Sequence, residues 1–182
     1  MSPLTTKLTY QDYLLLPDDG KRYEILDGDL FATPAPSTRH QIIAGRLIHL
    51  LMSYLETHPI GTVLAAPCDV VLSELDVVEP DLLFVRRHGV ARITEKNVQG
   101  PPDVLIEILS PGTAARDRNL KRKRYEHFGV QEYWLIDPEQ NTLEILALKD
   151  RQYVQVCRAA RPAQCASALL PGLVLDLGLL LK

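Results

Sequence analysis

Two carboxylates and one amine stand out because of where the chain puts them. Glu107 lies inside VLIEIL (residues 104–109), where Val104, Ile106 and Ile108 alternate with Leu105 and Leu109. A run apolar on both faces reads as a strand covered on both sides. A lone ionised carboxylate there costs several kcal/mol unless it is paired. Glu107 therefore needs a cation beside it, either a Lys or Arg side chain or a metal ion. Asp81 repeats the situation: it follows Pro80 in VVEPDLLFV (residues 77–85), next to Leu82, Leu83 and Phe84. Lys121 supplies the amine. At about 100° per residue, Asp117, Lys121, Tyr125 and Phe128 fall on one helical stripe. One Lys thus travels with aromatic side chains that should face a sheet. Arg116, Arg118, Arg122, Lys123 and Arg124 spread over the solvated surface.

Carboxylates on neighbouring strands can ligate one Mg²⁺, or Mn²⁺, and leave positions for water and a substrate phosphate. The backbone carbonyl of Ile108 is a further candidate ligand. Such an ion lowers the pKa of its water and neutralises charge on the phosphate. A nearby Lys can orient that water or stabilise the phosphorane. Asp103, in a second Pro-Asp pair, is excluded: four residues from Glu107 along one strand is about 13 Å, too far to share an ion. Structural alternatives stand beside this chemistry. Glu107 and Lys121 could form a purely architectural buried pair. Asp81 could cap a bulge after Pro80, and Lys121 could be one more solvated base.

These residues need elements to hold them. Ser110-Pro111-Gly112 breaks the strand, Ser110 or Thr113 caps a helix through Phe128, and Gly129 stops it. QEYWLID (residues 131–137) is the next strand. Strand, helix, strand implies a crossover between parallel neighbours. Before this unit, Thr9 caps a short helix, and RYEILDGDLF (residues 22–31) is a hairpin about Asp27-Gly28, the favoured type I′ pair. Glu24 lies in its first strand. Residues 37–57 form an amphipathic helix on which His40, Ile43, Ala44, Leu47, Leu51 and Leu55 share a face, with His40 at the first turn. Residues 63–66 and 69–72 are consecutive strands, residues 77–85 one strand interrupted at Pro80, and residues 86–100 a polar connection with at most a short helix. Residues 142–148 and 153–157 pair as a hairpin, and residues 173–177 add a last strand. The architecture expected is α/β: a mixed central β-sheet flanked by helices, with an N-terminal β-hairpin.

Pro80-Asp81, then Glu107, then a Lys resembles the PD-(D/E)XK nuclease superfamily. Its usual form has the Lys two residues after the Glu, a place held here by Leu109. The longer string is similar to one bacterial branch, the putative restriction endonucleases, which carries SP-x-T-x3-D-x3-K-x3-Y-x3-GV-x-EYW-x-x-D. Ser110, Pro111, Thr113, Asp117, Lys121, Tyr125, Gly129, Val130, Glu132, Tyr133, Trp134 and Asp137 all match. YEILDGDL, the inward His40 and the EPD before an apolar strand match as well, so the resemblance spans residues 9–148. It implies a restriction-endonuclease-like fold forming a single domain over residues 1–182, with the catalytic Lys moved to the helix. It also implies metal ligands at Asp81 and Glu107, catalysis by Lys121, and Glu24 and His40 at the entrance of the same site. The activity implied is Mg²⁺-dependent endonucleolytic hydrolysis of DNA. The alternative is an inactive nuclease-fold module that binds nucleic acid or protein.

Composition sets the frame. At 182 residues and net charge −3, there is a sizeable core and no global basic field. Cys68, Cys157 and Cys165 show no metal-binding spacing, which argues for unpaired thiols in a reducing compartment. No apolar signal core or membrane-length run occurs, so the expected location is cytoplasmic. The apolar stretch ALLPGLVLDLGLLL (residues 168–181) should dock on the core or on a second subunit of a homodimer.

Overall fold

A computed structural model describes residues 6–161 and 163–182. The first five residues of the stretch read for a signal core therefore lie outside the described residues. Thr9 closes a capping box with Asp12 at the start of α1 (Tyr10–Tyr13). The hairpin of β1 (Arg22–Leu26) and β2 (Asp29–Thr33) turns at Asp27 and Gly28, with φ of 51° and 78°. Those paired positive values are what a type I′ turn demands. Gly28 is also fixed by space, since a Cβ there would stand 2.5 Å from Lys7. Ser37 then caps the long helix α2 (Thr38–Thr57), which buries Ile43, Leu47, Leu51 and Tyr54.

Next come β3 (Gly61–Ala65), β4 (Val70–Ser73), β5 (Asp76–Val78) and β6 (Leu82–Arg86). They divide between two sheets: β4 pairs with β5 in one, and β3 pairs with β6 in the other. The expected interrupted strand is two strands in two sheets: Glu79-Pro80-Asp81 carries the chain from one sheet to the other. Pro80 lacks a ladder donor, so the chain can leave one sheet there without losing a hydrogen bond. Residues 86–100 hold no helix; they form two short strands, β7 (Arg92–Ile93) and β8 (Val98–Gln99).

The crossover unit follows as β9 (Val104–Ile108), α3 (Ala114–Arg116), a π-helical segment (Asp117–Lys121), α4 (Arg122–Phe128) and β10 (Glu132–Asp137). The helix expected through Phe128 is thus interrupted in its middle. Gly129 ends it in the left-handed conformation at φ 85°. The chain finishes with β11 (Thr142–Lys149), β12 (Gln152–Ala160), β13 (Gln164–Ala166), β14 (Val174–Asp176) and α5 (Leu177–Leu180).

The expected mixed central sheet is present, in the order β12-β11-β10-β9-β6-β3. Only β9 and β10 run parallel, as their helical crossover requires. A second six-stranded sheet, β2-β1-β5-β4-β8-β7, goes beyond that expectation. One face of the central sheet, with Leu82, Phe84, Ile106 and Trp134, packs on α2 and the chain's end. The other, with Leu83, Leu105 and Tyr133, packs on Tyr125 of α4 and on Leu26, Val70 and Val78 of the second sheet. The alternation read along residues 104–109 is reproduced side for side.

The apolar tail docks within the chain: Leu170, Leu173, Leu175, Leu177, Leu180 and Leu181 all join the core. Glu132 fastens it. Its carboxylate, 1% exposed, accepts from Trp134 Nε1, Ser167 Oγ and the Ala168 and Leu169 N–H groups. One reading of the cysteines is corrected. Cys157 and Cys165 are joined by a disulfide between the neighbouring strands β12 and β13, leaving Cys68 free. No helix among the described residues is long and apolar enough to cross a membrane.

Candidate active site

Asp81 and Glu107 meet because of the register of β6 and β9. Leu82 pairs with Ile106, so Asp81 and Glu107 are the next residues outward on adjacent antiparallel strands. Both line one cleft of about 290 Å³, walled by the loops at Pro34, Pro111 and Pro138. They are 5% and 4% exposed.

Asp81 is held from three sides. Its Oδ2 accepts from the Ile108 backbone N–H at 2.8 Å and lies 3.0 Å from His40 Nε2. Its Oδ1 meets the Arg22 guanidinium at 3.3 Å. Burial alone would raise its pKa. The His40 hydrogen bond, the Ile108 N–H and the Arg22 guanidinium outweigh that and hold it below the ordinary carboxylate value. His40 is brought there by the Ser37 cap, which fixes the first turn of α2.

Glu107 has the opposite character. Its Oε1 accepts from Lys121 Nζ at 2.9 Å and from the Tyr125 hydroxyl at 3.1 Å. Burial pushes its pKa up to about 8. Lys121 pulls it down, while Asp117, Asp81 and Glu24 push it further up. Neighbouring carboxylates with pKa values driven apart are a common mark of functional sites.

Lys121 is 3% exposed, which rules out the solvated reading. Its Nζ lies 2.7 Å from Glu24, 2.9 Å from Glu107 and 3.6 Å from Asp117. Burial pulls its pKa down, but the three carboxylates outweigh burial and hold it well above the usual lysine value. It is therefore a fixed ammonium: a donor and a charge, not a proton acceptor. The π-helical segment ends at Lys121 and begins at Asp117, so both turn inward. Single-turn π segments often mark functional sites.

Glu24 is brought to the cluster but not to the cleft wall. It lies behind Lys121, 2% exposed, where it also accepts the Glu79 N–H at 3.0 Å. His40 does line the cleft. Asp103 is engaged elsewhere: it takes the Arg86 backbone N–H at 2.8 Å and Nε at 2.6 Å.

Several site residues escaped the sequence reading. Arg22 stands two residues before Glu24, on the same strand face, a signal that was there to be used. Arg116 was assigned to the solvated surface. Instead it donates to Thr33 at 2.7 Å, approaches Glu24 at 3.4 Å and covers the Phe31 ring. Arg118 and Arg124 are also paired, with Asp137 and Asp76.

The donor set suits a hard divalent ion. Asp81 and Glu107 offer carboxylate oxygens; of the two on Glu107, only Oε1 is engaged among the described residues. The Arg22 contacts to Asp81 are long enough to yield. Buried carboxylates also outnumber Lys and Arg here: Glu24, Glu79, Asp81, Glu107 and Asp117 against Arg22, Arg116 and Lys121. Among the described residues no group of three or more His, Cys, Asp or Glu side chains is arranged to hold a metal alone.

Comparison with known proteins agrees with the geometry. Residues 10–178 match the family model Uma2, described as putative restriction endonuclease. The fold is shared with the crystal structure of a putative nuclease belonging to DUF820 from Anabaena variabilis ATCC 29413. The TM-score is 0.79 at 20% identity, covering 96% of this chain and 97% of that one. No curated protein matches the chain. With residues 10–178 matched, the chain belongs to the Uma2 family of putative restriction endonucleases, in the restriction-endonuclease-like group.

Proposed function

We propose that this protein is a metal-dependent endonuclease that hydrolyses DNA phosphodiester bonds. The observation that carries this reading is the convergence of Asp81 and Glu107 on one cleft, with the Lys121 ammonium clamped on Glu107. Asp81, Glu107 and the Ile108 carbonyl would hold Mg²⁺ or Mn²⁺. When bound, the ion would lower the pKa of a coordinated water and offset charge on the phosphate. The chain's own groups do the rest. Lys121 keeps Glu107 aimed and presents a fixed positive charge near the reacting phosphate. His40 and the Ile108 N–H fix the Asp81 carboxylate, which keeps it ionised and ready as a ligand. Glu24 and Asp117 anchor Lys121 from behind, so the ammonium needs no reorganisation during the reaction.

A second reading is a nuclease-fold module without catalysis. It is favoured by one observation: each carboxylate already has a cationic partner of its own, Lys121 for Glu107 and Arg22 for Asp81. Plasmid nicking with Mg²⁺ separates the two. Wild type should cut, and Asp81→Ala and Lys121→Ala should not. Equal cutting by all three would mean a contaminant or a different catalyst.

A further inference from the structure

A second cleft, of about 510 Å³, opens on the other side of Asp81. It shares Arg22, Pro36, His40 and Asp81 with the first, so the two meet at that carboxylate. The chemistry at Asp81 and Glu107 makes no use of it, yet its walls are built as though something enters. Glu79 lines it, is only 7% exposed, and its Oε1 accepts no hydrogen bond among the described residues. Arg22 Nε lies 3.5 Å from it in a long ion pair, and neither atom has a hydrogen bond among the described residues. A loosely held buried pair beside an open cleft is suited to a polar ligand.

Gly45 is the independent sign. It stands inside α2 and lines this cleft. Glycine weakens a helix interior relative to alanine. A Cβ at Gly45 would meet nothing within 4 Å, so packing inside the chain does not ask for glycine. Close approach of a group from outside does.

We propose that this second cleft is a subsite for the nucleoside next to the scissile phosphate, and that the substrate is consequently an unpaired strand rather than an intact duplex. The inference rests on the nuclease reading and narrows it. With Asp81 5% and Glu107 4% exposed, the phosphate must descend below the rim to reach them. Its two neighbouring nucleosides then part into clefts on opposite sides of Asp81. Paired and stacked nucleotides part in this way only at the cost of unpairing and unstacking, whereas an unpaired strand splays its bases readily. Glu79 Oε1 offers an acceptor to a base N–H or a sugar hydroxyl in the second cleft.

The test is fluorescence anisotropy in EDTA with a labelled 20-nucleotide single strand and the blunt duplex of the same sequence. The single strand should bind at least about tenfold tighter than the duplex. Gly45→Trp, which fills the cleft, should weaken single-strand binding by at least about tenfold. Met52→Trp, exposed on the same helix and outside the cleft, should leave binding unchanged. Gly45→Leu serves if the Trp variant does not fold. Absence of single-strand binding by wild type, preference for duplex, or indifference to Gly45→Trp would each overturn the subsite. Adding Mg²⁺ separates the two readings. A strand that binds as expected but is not cut leaves the subsite standing and removes the nuclease. Cutting with an unchanged KM in Gly45→Trp removes the subsite and leaves the nuclease.

Discussion

Replacing Lys121 by methionine probes the cluster most severely. The substitution keeps an unbranched side chain, one atom shorter, and removes the charge together with the N–H donors that meet Glu107 and Glu24. Glu24, Glu107 and Asp117, at 2%, 4% and 2% exposure, would then face one another around an apolar group. Removing one partner of a buried ion pair costs about 3–5 kcal/mol, because the remaining charge cannot be resolvated. For a chain of this size that corresponds to a fall in Tm of about 6–20 °C. Urea denaturation should show the same loss as a lower midpoint with an unchanged slope. The loss should also depend on pH. Glu107 already has its pKa raised to about 8 by burial, and without Lys121 it would rise further. A raised folded-state pKa gives stability that is present at low pH and lost as pH climbs through it. The penalty should therefore be smallest near pH 5 and grow as pH climbs past about 8. Adding Glu107→Gln to Lys121→Met should recover part of the loss, with a coupling of about 0.5–3 kcal/mol. A loss below about 1 kcal/mol, or one independent of pH, would refute the buried-charge reasoning.

Other outcomes follow from the same geometry. In wild type, Glu107 contributes stability below its ordinary value of 4.5 that is lost as pH rises toward about 8; Glu107→Gln should flatten that part of the urea stability–pH curve. Calorimetric titration of Mn²⁺ should give heat with wild type and none with Asp81→Ala, while equal heats would remove the metal site. Asp103→Ala breaks two part-buried contacts to Arg86 and should cost about 1 kcal/mol in denaturation experiments, yet leave plasmid cutting unchanged. Loss of cutting by the folded Asp103 variant would mean that the wrong Pro-Asp pair has been given the chemistry.

The sequence carried the crossover unit and the hairpin well, for physical reasons that show in single residues. Asp27-Gly28 tolerates the two positive φ angles that a type I′ turn needs. Glu107 betrayed itself by being charged inside an apolar run. Lys121 shared a helical stripe with Tyr125, and both now touch Glu107 Oε1. What periodicity could not show was where a strand changes sheets. Residues 77–85 read as one interrupted strand, yet the break at Pro80 separates two sheets and sets Asp81 at their junction. The partners of Arg22 and Arg116 were hidden for a related reason. Their acids lie on other elements, and a run of bases looks solvated until the fold supplies a counter-charge. The disulfide was equally illegible, because an eight-residue spacing between Cys157 and Cys165 belongs to no motif and depends on β12 and β13 lying together. Thr113 marked a helix start but not the π-helical turn beyond it, whose ends, Asp117 and Lys121, are both buried.

The central claim is that two carboxylates from adjacent strands share one divalent ion. Anomalous X-ray diffraction from crystals soaked in Mn²⁺ tests it directly. A single peak bridging Asp81 and Glu107, absent from Asp81→Ala crystals, is the result expected. A peak elsewhere, or none at this pair while Lys121 and Arg22 keep their carboxylates, would leave a charge network that only supports the fold.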